Sequence, residues 1–299
     1  MKTKLIIKSI VSLLLLCVVI VSCNTSELNS DTIYQPVFAN DTLKKNTLIF
    51  GFPSFSYAET AEPLISYLNR RLSGTRIILK ACSSYDDYMN GLNKNEFDLT
   101  LLNGIQSSEA ESHGYSIRGK LIGDDNYRGV IFVRKDANIK EIKDLKKKRV
   151  AFSPSRMVPG TIMPIYYLYQ NGIDISQDID QVYVSSFESA IITTYLDKSD
   201  AGFCQKRNWN VYIKNHPDIL SKVDLKWETP PLINNALLVK NSNDSAIISQ
   251  LTLLLFSMHN TKEGKEALNR LDFIGFEKAN TATYKPMTDF KKKYDSVIL

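Results

Sequence analysis

The feature that most limits how this chain can fold is a regular alternation of short apolar strands and amphipathic helices. Residues 47–52, 75–81 and 97–102 are apolar runs of strand length. The segments between them repeat apolar residues at helical spacing, as at Leu64, Ile65, Leu68 and Leu72. Strands joined by helices through short loops form a parallel sheet. Because ligands of such sheets lie beyond the carboxyl ends of the strands, we predict that loops 52–57 and 102–107 line a site.

A second series of the same kind spans about 149–227. The pair Pro230-Pro231 then interrupts the chain, and an apolar strand follows at 235–240. Two α/β units of this size predict two lobes with a cleft between them, which is a preferred place for a ligand. We predict a first lobe of 47–133 plus 232–299, a second lobe of 134–231, and a hinge at two crossings near 131–135 and 230–235.

The stretch from Ala151 to Pro164 joins a strand to a helix inside the second series. The pair Pro159-Gly160 begins a helical pattern, and Pro164 falls in its first turn, where a missing N–H costs little. The start of a helix presents unpaired N–H groups and the positive end of the helix dipole. The stretch is therefore suited to hold a small anion or a polar head group. An ordinary strand-to-helix turn is the alternative interpretation.

The N-terminus has the pattern of a secretion signal. Lys2, Lys4 and Lys8 precede an uncharged apolar run at 10–21, which is too short to span a membrane and has the length of a signal-peptide core. The run ends at Ser22-Cys23 and looks like the lipobox of bacterial lipoproteins; a short buried helix is the alternative. We predict a signal peptide at 1–22, followed by a lipidated Cys23 that carries palmitate among its acyl chains, and a flexible polar tether at 23–46. The predicted location is the cell envelope, on the periplasmic or extracellular face of a bacterial membrane.

Charge and cysteines add two expectations. The formal net charge of +5 falls to +2 when the three signal-peptide lysines are removed, and no basic face suggests a nucleic acid as partner. Cys82 and Cys204 follow apolar strands of different predicted lobes, so we expect two thiols rather than one disulfide.

Residues that could support catalysis are sparse. His113, His216 and His259 lie in unrelated segments, without the spacing of a zinc site or of a Ser-His-Asp arrangement. A nucleophilic role for Cys204 lacks a base nearby in the sequence. No glycine-rich phosphate motif is present. We therefore expect no catalytic residues, no metal and no cofactor.

Several local phrases in fixed order carry a resemblance to a known family. The chain resembles the periplasmic phosphonate/phosphite-binding proteins of ABC importers, which have the type II periplasmic binding fold. The resemblance covers roughly 47–240 and implies an α/β fold of two lobes with a hinge and a ligand cleft between them. The matching phrases are Gly51-Phe52-Pro53, Glu62-Pro63-Leu64, Tyr67-Leu68, Tyr85, Phe97-Asp98-Leu99, Tyr127-Arg128, Ile142-Lys143-Asp144-Leu145-Lys146, Lys148-Arg149-Val150-Ala151-Phe152, Gly160, Pro164 and Pro230-Pro231.

The chain departs from this family at the residues that grip the oxyanion. Members typically have a Ser-Thr-Ser-Gly phrase at the helix start, whereas this chain has Met157-Val158-Pro159-Gly160. Asn103-Gly104 stands where the family has Gly-Pro, Phe187-Glu188 where it has His-Asp, and Gln205 where it has an acid. Each lost donor to a charged acceptor is worth about 1.5–3 kcal/mol.

Two interpretations of the ligand stay open at this point. Ser155, Arg156 and Thr161 could replace the lost donors, since an arginine binds oxyanions with two parallel hydrogen bonds. Alternatively, the ligand is more apolar and contacts Met157, Val158 and Phe187 directly. The predicted ligand-binding residues are Phe55, Tyr57, Tyr85, Asn103, Gly104, Tyr127, Ser155, Arg156, Gly160, Thr161, Phe187, Glu188 and Gln205.

These features predict a lipid-anchored extracytoplasmic protein that captures a small solute, an oxyanion or phosphonate-like compound, by lobe closure. It would act as a monomer and deliver the solute to the permease of an ABC importer, without chemical change. Two alternatives are a sensor lipoprotein of the same fold that acts on a signalling partner, and an enzyme on the same scaffold, since a fold does not determine a function.

Overall fold

A computed structural model describes residues 46–55 and 57–298 of the chain. The predicted signal peptide, Cys23 and the tether up to residue 45 lie outside the described residues. Within the described part of the chain, no helix is both long enough and apolar enough to cross a membrane.

Within residues 46–55 and 57–298, eleven strands and ten α-helices follow one another in the order that the apolar pattern predicts for most of this part of the chain. The strands are β1 Asn46–Phe52, β2 Thr75–Ala81, β3 Leu99–Leu102, β4 Tyr115–Leu121, β5 Gly129–Arg134, β6 Arg149–Phe152, β7 Asp180–Tyr183, β8 Ala201–Gln205, β9 Val223–Glu228, β10 Ala236–Lys240 and β11 Phe276–Lys278. The helices are α1 Tyr57–Asn69, α2 Tyr85–Asn93, α3 Gly104–Ser112, α4 Met163–Gln170, α5 Ile175–Asp178, α6 Phe187–Tyr195, α7 Lys206–Asn215, α8 Ser245–Ser257, α9 Lys262–Asn269 and α10 Lys285–Ile298.

The strands form two separate sheets, which confirms the two-lobed α/β fold. The first sheet has the order β11-β4-β10-β3-β1-β2, and the second has the order β7-β6-β8-β5-β9. The strands of each β-α-β-α-β series pair in parallel: β1 with β2 and β3, and β6 with β7 and β8. Antiparallel strands complete both sheets, with β10 between β3 and β4, and β5 between β8 and β9.

The first crossing between the sheets differs from its predicted place. β5 is hydrogen-bonded to β8 and β9 and so belongs to the second sheet, although the predicted boundary after residue 133 puts most of this strand in the first lobe. The chain therefore crosses at 122–128, earlier than the predicted 131–135. The strand is buried on both faces, so its sequence gives no sign of which sheet receives it. The second connection between the sheets runs through residues 229–235.

Hydrogen bonds join the two crossings to each other. The backbone N–H of Thr229 donates to the carbonyl oxygen of Gly129 at 2.9 Å, and that of Leu232 donates to Tyr127 at 3.0 Å. The N–H of Asn234 donates to the Asp124 carboxylate at 3.0 Å. The crossings therefore form one paired connection between the sheets.

Helices cover both faces of each sheet, so central strands such as β3, β5 and β10 are buried along nearly their whole length rather than on alternate residues. One core cluster lies on each face. In the second sheet, Phe152 is fully buried, and its ring centroid lies 4.9 Å from that of Phe203. Cys82 and Cys204 are buried in different clusters and form no disulfide with each other.

Candidate functional site

The loops that follow the parallel strands lie at the carboxyl ends of both sheets, where the sequence places the site. The segment after β6 is the most distinctive of these. Residues Val158–Ile162 form a π-helical turn, and α4 begins only at Met163. We call residues 153–163 the anchoring turn. Pro164 has no N–H to donate to the carbonyl of Gly160, so the regular α-helical pattern cannot start there.

Some backbone donors of the anchoring turn are used within it. The N–H groups of Thr161 and Ile162 both donate to the carbonyl oxygen of Met157, at 3.0 and 3.1 Å. The N–H of Met163 donates to the carbonyl oxygen of Val158. These contacts do not involve the N–H groups of Val158 and Gly160 at the start of the turn, so the predicted anion-binding donors there are not consumed by them.

Thr161 does not offer its hydroxyl proton to a ligand in this structure. The residue is 1% exposed, and its Oγ1 donates to the carbonyl oxygens of Ser153 at 2.8 Å and Pro154 at 3.1 Å. The predicted role as a replacement donor therefore conflicts with these contacts. The hydroxyl instead closes the anchoring turn onto the end of β6.

This structural role of Thr161 can be tested by substitution. Thr161→Val is expected to lower the free energy of unfolding by about 1–3 kcal/mol, because the buried carbonyl of Ser153 loses its donor. Thr161→Ser keeps the hydroxyl and should stay within about 1 kcal/mol of the natural protein. Urea unfolding of both variants measures the difference. Equal stability of the two variants would contradict the assignment.

Gly160 and Phe187, two predicted site residues, are in direct contact. A Cβ added at Gly160 would lie 2.3 Å from Cε1 of Phe187 and 2.7 Å from Oγ of Ser153. Phe187 begins α6, which is capped by Ser186. The glycine is therefore required for space, and the Phe187 ring covers the anchoring turn where the family has a polar residue.

Arg156 and Ser155 lie exposed on the anchoring turn. The Arg156 guanidinium is 3.8 Å from the carboxylate of Asp86 in α2, and their side chains are 64% and 83% exposed. This ion pair joins the second sheet's loop to a helix of the first lobe. The sequence did not single out Asp86, although its position in the first turn of α2 is a signal of a cleft-facing residue.

A polar network lies next to Arg156 in the first lobe. The Tyr85 hydroxyl and the Asn103 amide both donate to Oε1 of Gln106, and Asn103 Oδ1 accepts from the backbone N–H of Gln106 at 3.1 Å. Burial raises the pKa of Tyr85 to about 12, and the positive charge of Arg156 acts against this rise. The sequence predicted Tyr85 and Asn103 but missed Gln106, which stands three residues after the N-cap Asn103.

Two other predicted residues are buried in packing contacts rather than presented to a ligand. Tyr127 is 2% exposed and packs in the core cluster that contains Val158 and Tyr284; burial raises its pKa strongly. A Cβ at Gly104 would lie 2.4 Å from the Tyr284 ring and 2.7 Å from Met287. The prediction that Tyr127 and Gly104 contact the ligand conflicts with these positions. Both instead fix the packing beneath the site.

A second polar group lies between α1 and the start of α6 and α7. Burial raises the pKa of Tyr57; the charge of Arg207 opposes this rise and that of Glu188 adds to it. Glu188 Oε1 accepts from the Asn208 amide at 3.3 Å. Tyr57 belongs to the first lobe and Glu188 to the second, and the charge of Glu188 acts on the Tyr57 hydroxyl.

Gln205 and Phe55 complete the predicted set. Gln205 ends β8, and its successors Arg207 and Asn208 lie in the first turn of α7. Arg207 and Asn208 were not among the predicted site residues, although polar residues shortly after a strand end could have indicated them. Phe55 is 44% exposed in the loop after β1.

Cys204 lies beside the polar group of Tyr57, Glu188 and Asn208, but its thiol is unreactive. Its thiol is fully buried, and burial together with the negative charge of Glu188 raises its pKa well above the usual value. A neutral thiol is a weak nucleophile. Among residues 46–55 and 57–298, no group of His, Cys, Asp and Glu has a geometry that could hold a metal ion.

Comparison with known proteins gives consistent matches. Residues 51–284 match the family model described as ABC transporter, phosphonate, periplasmic substrate-binding protein. A probable ABC transporter phosphite binding protein, PhnD1 of Prochlorococcus marinus (strain MIT 9301), is 24% identical over 230 residues, which are 72% of this chain and 77% of the relative.

Solved structures show the same fold. The structure of PhnD1 in complex with methylphosphonate aligns with a TM-score of 0.73 at 20% identity, over 84% of this chain and 99% of that chain. A binding protein component of an ABC phosphonate transporter from Pseudomonas aeruginosa aligns with a TM-score of 0.72 at 15% identity, over 84% and 87%.

Proposed function

The chain belongs to the periplasmic substrate-binding proteins of phosphonate ABC transporters, and on this premise we propose that it holds a small phosphonate-like oxyanion between its lobes through Arg156. Proteins of this family capture a small ligand outside the cytoplasm and deliver it to an ABC importer. Capture by closure of two lobes is the corresponding motion in periplasmic binding proteins.

The observation that supports an oxyanion best is the exposed ion pair between Arg156 and Asp86. An exposed pair of this kind contributes only about 0–1 kcal/mol. A ligand oxyanion that accepts two hydrogen bonds from the guanidinium can therefore displace Asp86 at little cost. Ser155 is exposed on the same turn and offers a hydroxyl group for the remaining oxygens, whereas the Tyr85 hydroxyl already donates to Gln106.

The donors of this site differ from those that the resemblance implies. The Thr161 hydroxyl is occupied by contacts within the chain, Pro159 has no N–H, and the hydroxyls of the family's phrase are absent. The charge on Arg156 would therefore contribute most of the attraction for the anion. Phe187, packed on Gly160, would contact the apolar part of the ligand.

The proposal extends to the membrane anchor, the oligomeric state and the chemistry of the protein. The signal-like N-terminus supports a lipid anchor on Cys23 and a tether that holds the domain near a membrane-embedded permease. We propose a monomer that acts without a cofactor and without catalysis. Burial of the Cys204 thiol, which raises its pKa well above the usual value, supports the absence of thiol chemistry.

A thermal-shift screen tests the oxyanion proposal. We expect methylphosphonate or phosphite at about 100 times the dissociation constant to stabilise the protein by about 2.7 kcal/mol, which corresponds to roughly 5–10 °C in Tm for a chain of this size. Uncharged heterocycles of similar size serve as controls. Stabilisation by an uncharged compound and by none of the oxyanions would show that the ligand class is wrong.

A further inference from the structure

A second cavity lies outside the ligand cleft, at the junction of the two lobes. Its volume is about 400 Å³, within the range of small-molecule sites. Its walls come from α4, the second crossing and α10, with Tyr166, Pro230 and Phe290 among the lining residues. None of the predicted ligand-binding residues of the cleft lines it.

The walls of this cavity belong to both lobes because α10 passes from one to the other. Near its start, Met287 is fully buried in a core cluster that joins strand residues of the first sheet, such as Leu238, to Val158 and Met163. Near its end, Tyr294 and Ile298 pack against the core cluster of the second lobe that contains Ile165. A movement of the lobes therefore changes the distance between α4 and α10 and the shape of the cavity.

The cavity walls suit a flat ring. The Tyr166 and Phe290 rings meet edge to face, with centroids 5.3 Å apart and planes at 84°. Tyr167 and the ring of Pro230 add further flat surface. Aromatic rings bind other rings in offset or edge-to-face arrangements, and such pairs are favourable beyond the area that they bury.

The rim of the cavity attracts negative charge. Lys293 lines it together with Asp289. The Asp289 carboxylate accepts from Lys285 at 2.7 Å, and Lys292 and Lys293 also act on it electrostatically. The Asp289 carboxylate is thus paired with Lys285, which leaves the Lys293 ammonium as the positive charge that the cavity lining offers to a ligand.

From these observations we propose that the hinge cavity is a second binding site, for a small aromatic anion, and that its occupancy alters the affinity of the cleft. A ligand that fits the cavity best at one lobe angle favours that angle. By linkage, the cleft ligand then changes the affinity of the hinge cavity by the same factor. Binding in the cavity is independent of the proposed function, whereas its effect on the cleft rests on that function.

The probe for this site is 8-anilinonaphthalene-1-sulfonate, an aromatic anion whose fluorescence rises on binding. In titrations of the purified protein, Lys293→Gln is expected to weaken probe binding about tenfold, through loss of a charge-assisted contact. Tyr166→Ala removes an aromatic wall and should weaken it by a similar factor. The matched control is Lys292→Gln, which removes the same charge from the neighbouring exposed position outside the cavity lining.

The results separate the alternatives. Weaker binding in Lys293→Gln and Tyr166→Ala, with Lys292→Gln unchanged, supports the hinge site. Equal losses in both lysine variants, or no loss in any variant, overturns it, since the probe then binds a basic surface or another site. Loss of probe binding in Arg156→Ala would also overturn it, because the probe would then occupy the cleft. A methylphosphonate titration of the natural protein tests the proposed function separately.

Discussion

Replacement of Gly160 by alanine is expected to weaken ligand binding by about 10- to 100-fold and to lower the free energy of unfolding by about 1–3 kcal/mol. The new Cβ would lie 2.3 Å from the Phe187 ring and 2.7 Å from Oγ of Ser153. Neither neighbour can move freely, because Ser153 is buried and donates to the carbonyl of Phe203 at 3.2 Å. The anchoring turn and α6 must therefore separate, which displaces both walls of the site.

Two further variants make this experiment specific. Gly172→Ala is the matched control: Gly172 has a φ of +77° and open space around it, and it follows the far end of α4. Its substitution strains the backbone by about 1 kcal/mol but should leave ligand affinity unchanged. Phe187→Ala combined with Gly160→Ala removes the closest collision and should restore part of the stability.

The measurements are calorimetric titration with the ligand identified by the screen and urea unfolding of each variant. A Gly160→Ala protein that binds and unfolds like the natural one would show that the contact with Phe187 is not a constraint. Equal losses of affinity in Gly160→Ala and Gly172→Ala would show that binding follows general stability rather than the shape of the anchoring turn.

The alternation of strands and helices was predictable because each element carries its own pattern. Apolar runs such as Val150-Ala151-Phe152 mark strands that are buried on both faces, and caps such as Ser84 and Ser186 mark helix starts. These signals are local, so they can be found without knowing the partners of each element. They establish the two series and hence the two lobes.

The sheet assignment of β5 was not predictable in the same way. Gly129–Arg134 is apolar along its length and would suit either sheet. Its place is decided by pairing with β8, about 70 residues later in the chain, and by the hydrogen bonds between Gly129 and Thr229. Long-range pairing of this kind leaves no mark on the strand's own sequence.

The candidate site shows the same limit at the level of side chains. The sequence placed Gly160 and Phe187 in one predicted site because strand ends of one sheet share an edge, and these two residues lie in contact. It could not show that the Thr161 hydroxyl is already bound to Ser153 and Pro154, or that Gly104 lies under Tyr284. Whether a polar group is available depends on the neighbours that folding provides.

The lost hydroxyls have a consequence for the ligand. Without them, side chains of the anchoring turn cannot surround a tetrahedral anion as the Ser-Thr-Ser-Gly phrase of the family does. The strongest remaining attraction is a guanidinium at the rim, which acts over a longer distance and with less shape selection. We therefore expect selectivity among oxyanions to come from the contact of Phe187 with the organic part of the ligand.

Replacement of Arg156 by alanine is expected to lower affinity for an oxyanion ligand about 10- to 100-fold, because hydrogen bonds to a charged partner contribute about 1.5–3 kcal/mol. Asp86→Asn should act in the opposite direction and strengthen binding by up to about fivefold, since it removes the carboxylate that competes for the same guanidinium. Both effects should shrink at high salt, because Arg156 is exposed and its charge is screened.

Arg118→Ala is the control for net charge. Arg118 is exposed in the middle of β4 rather than at a strand end that faces the cleft, so its loss should change affinity by less than about twofold. Calorimetric titration at low and at physiological ionic strength measures all three variants. If Arg156→Ala and Arg118→Ala weaken binding equally, the attraction is a general effect of charge. If Arg156→Ala binds as the natural protein does, the guanidinium is not the anion donor, and the ligand is held by the apolar contacts around Phe187.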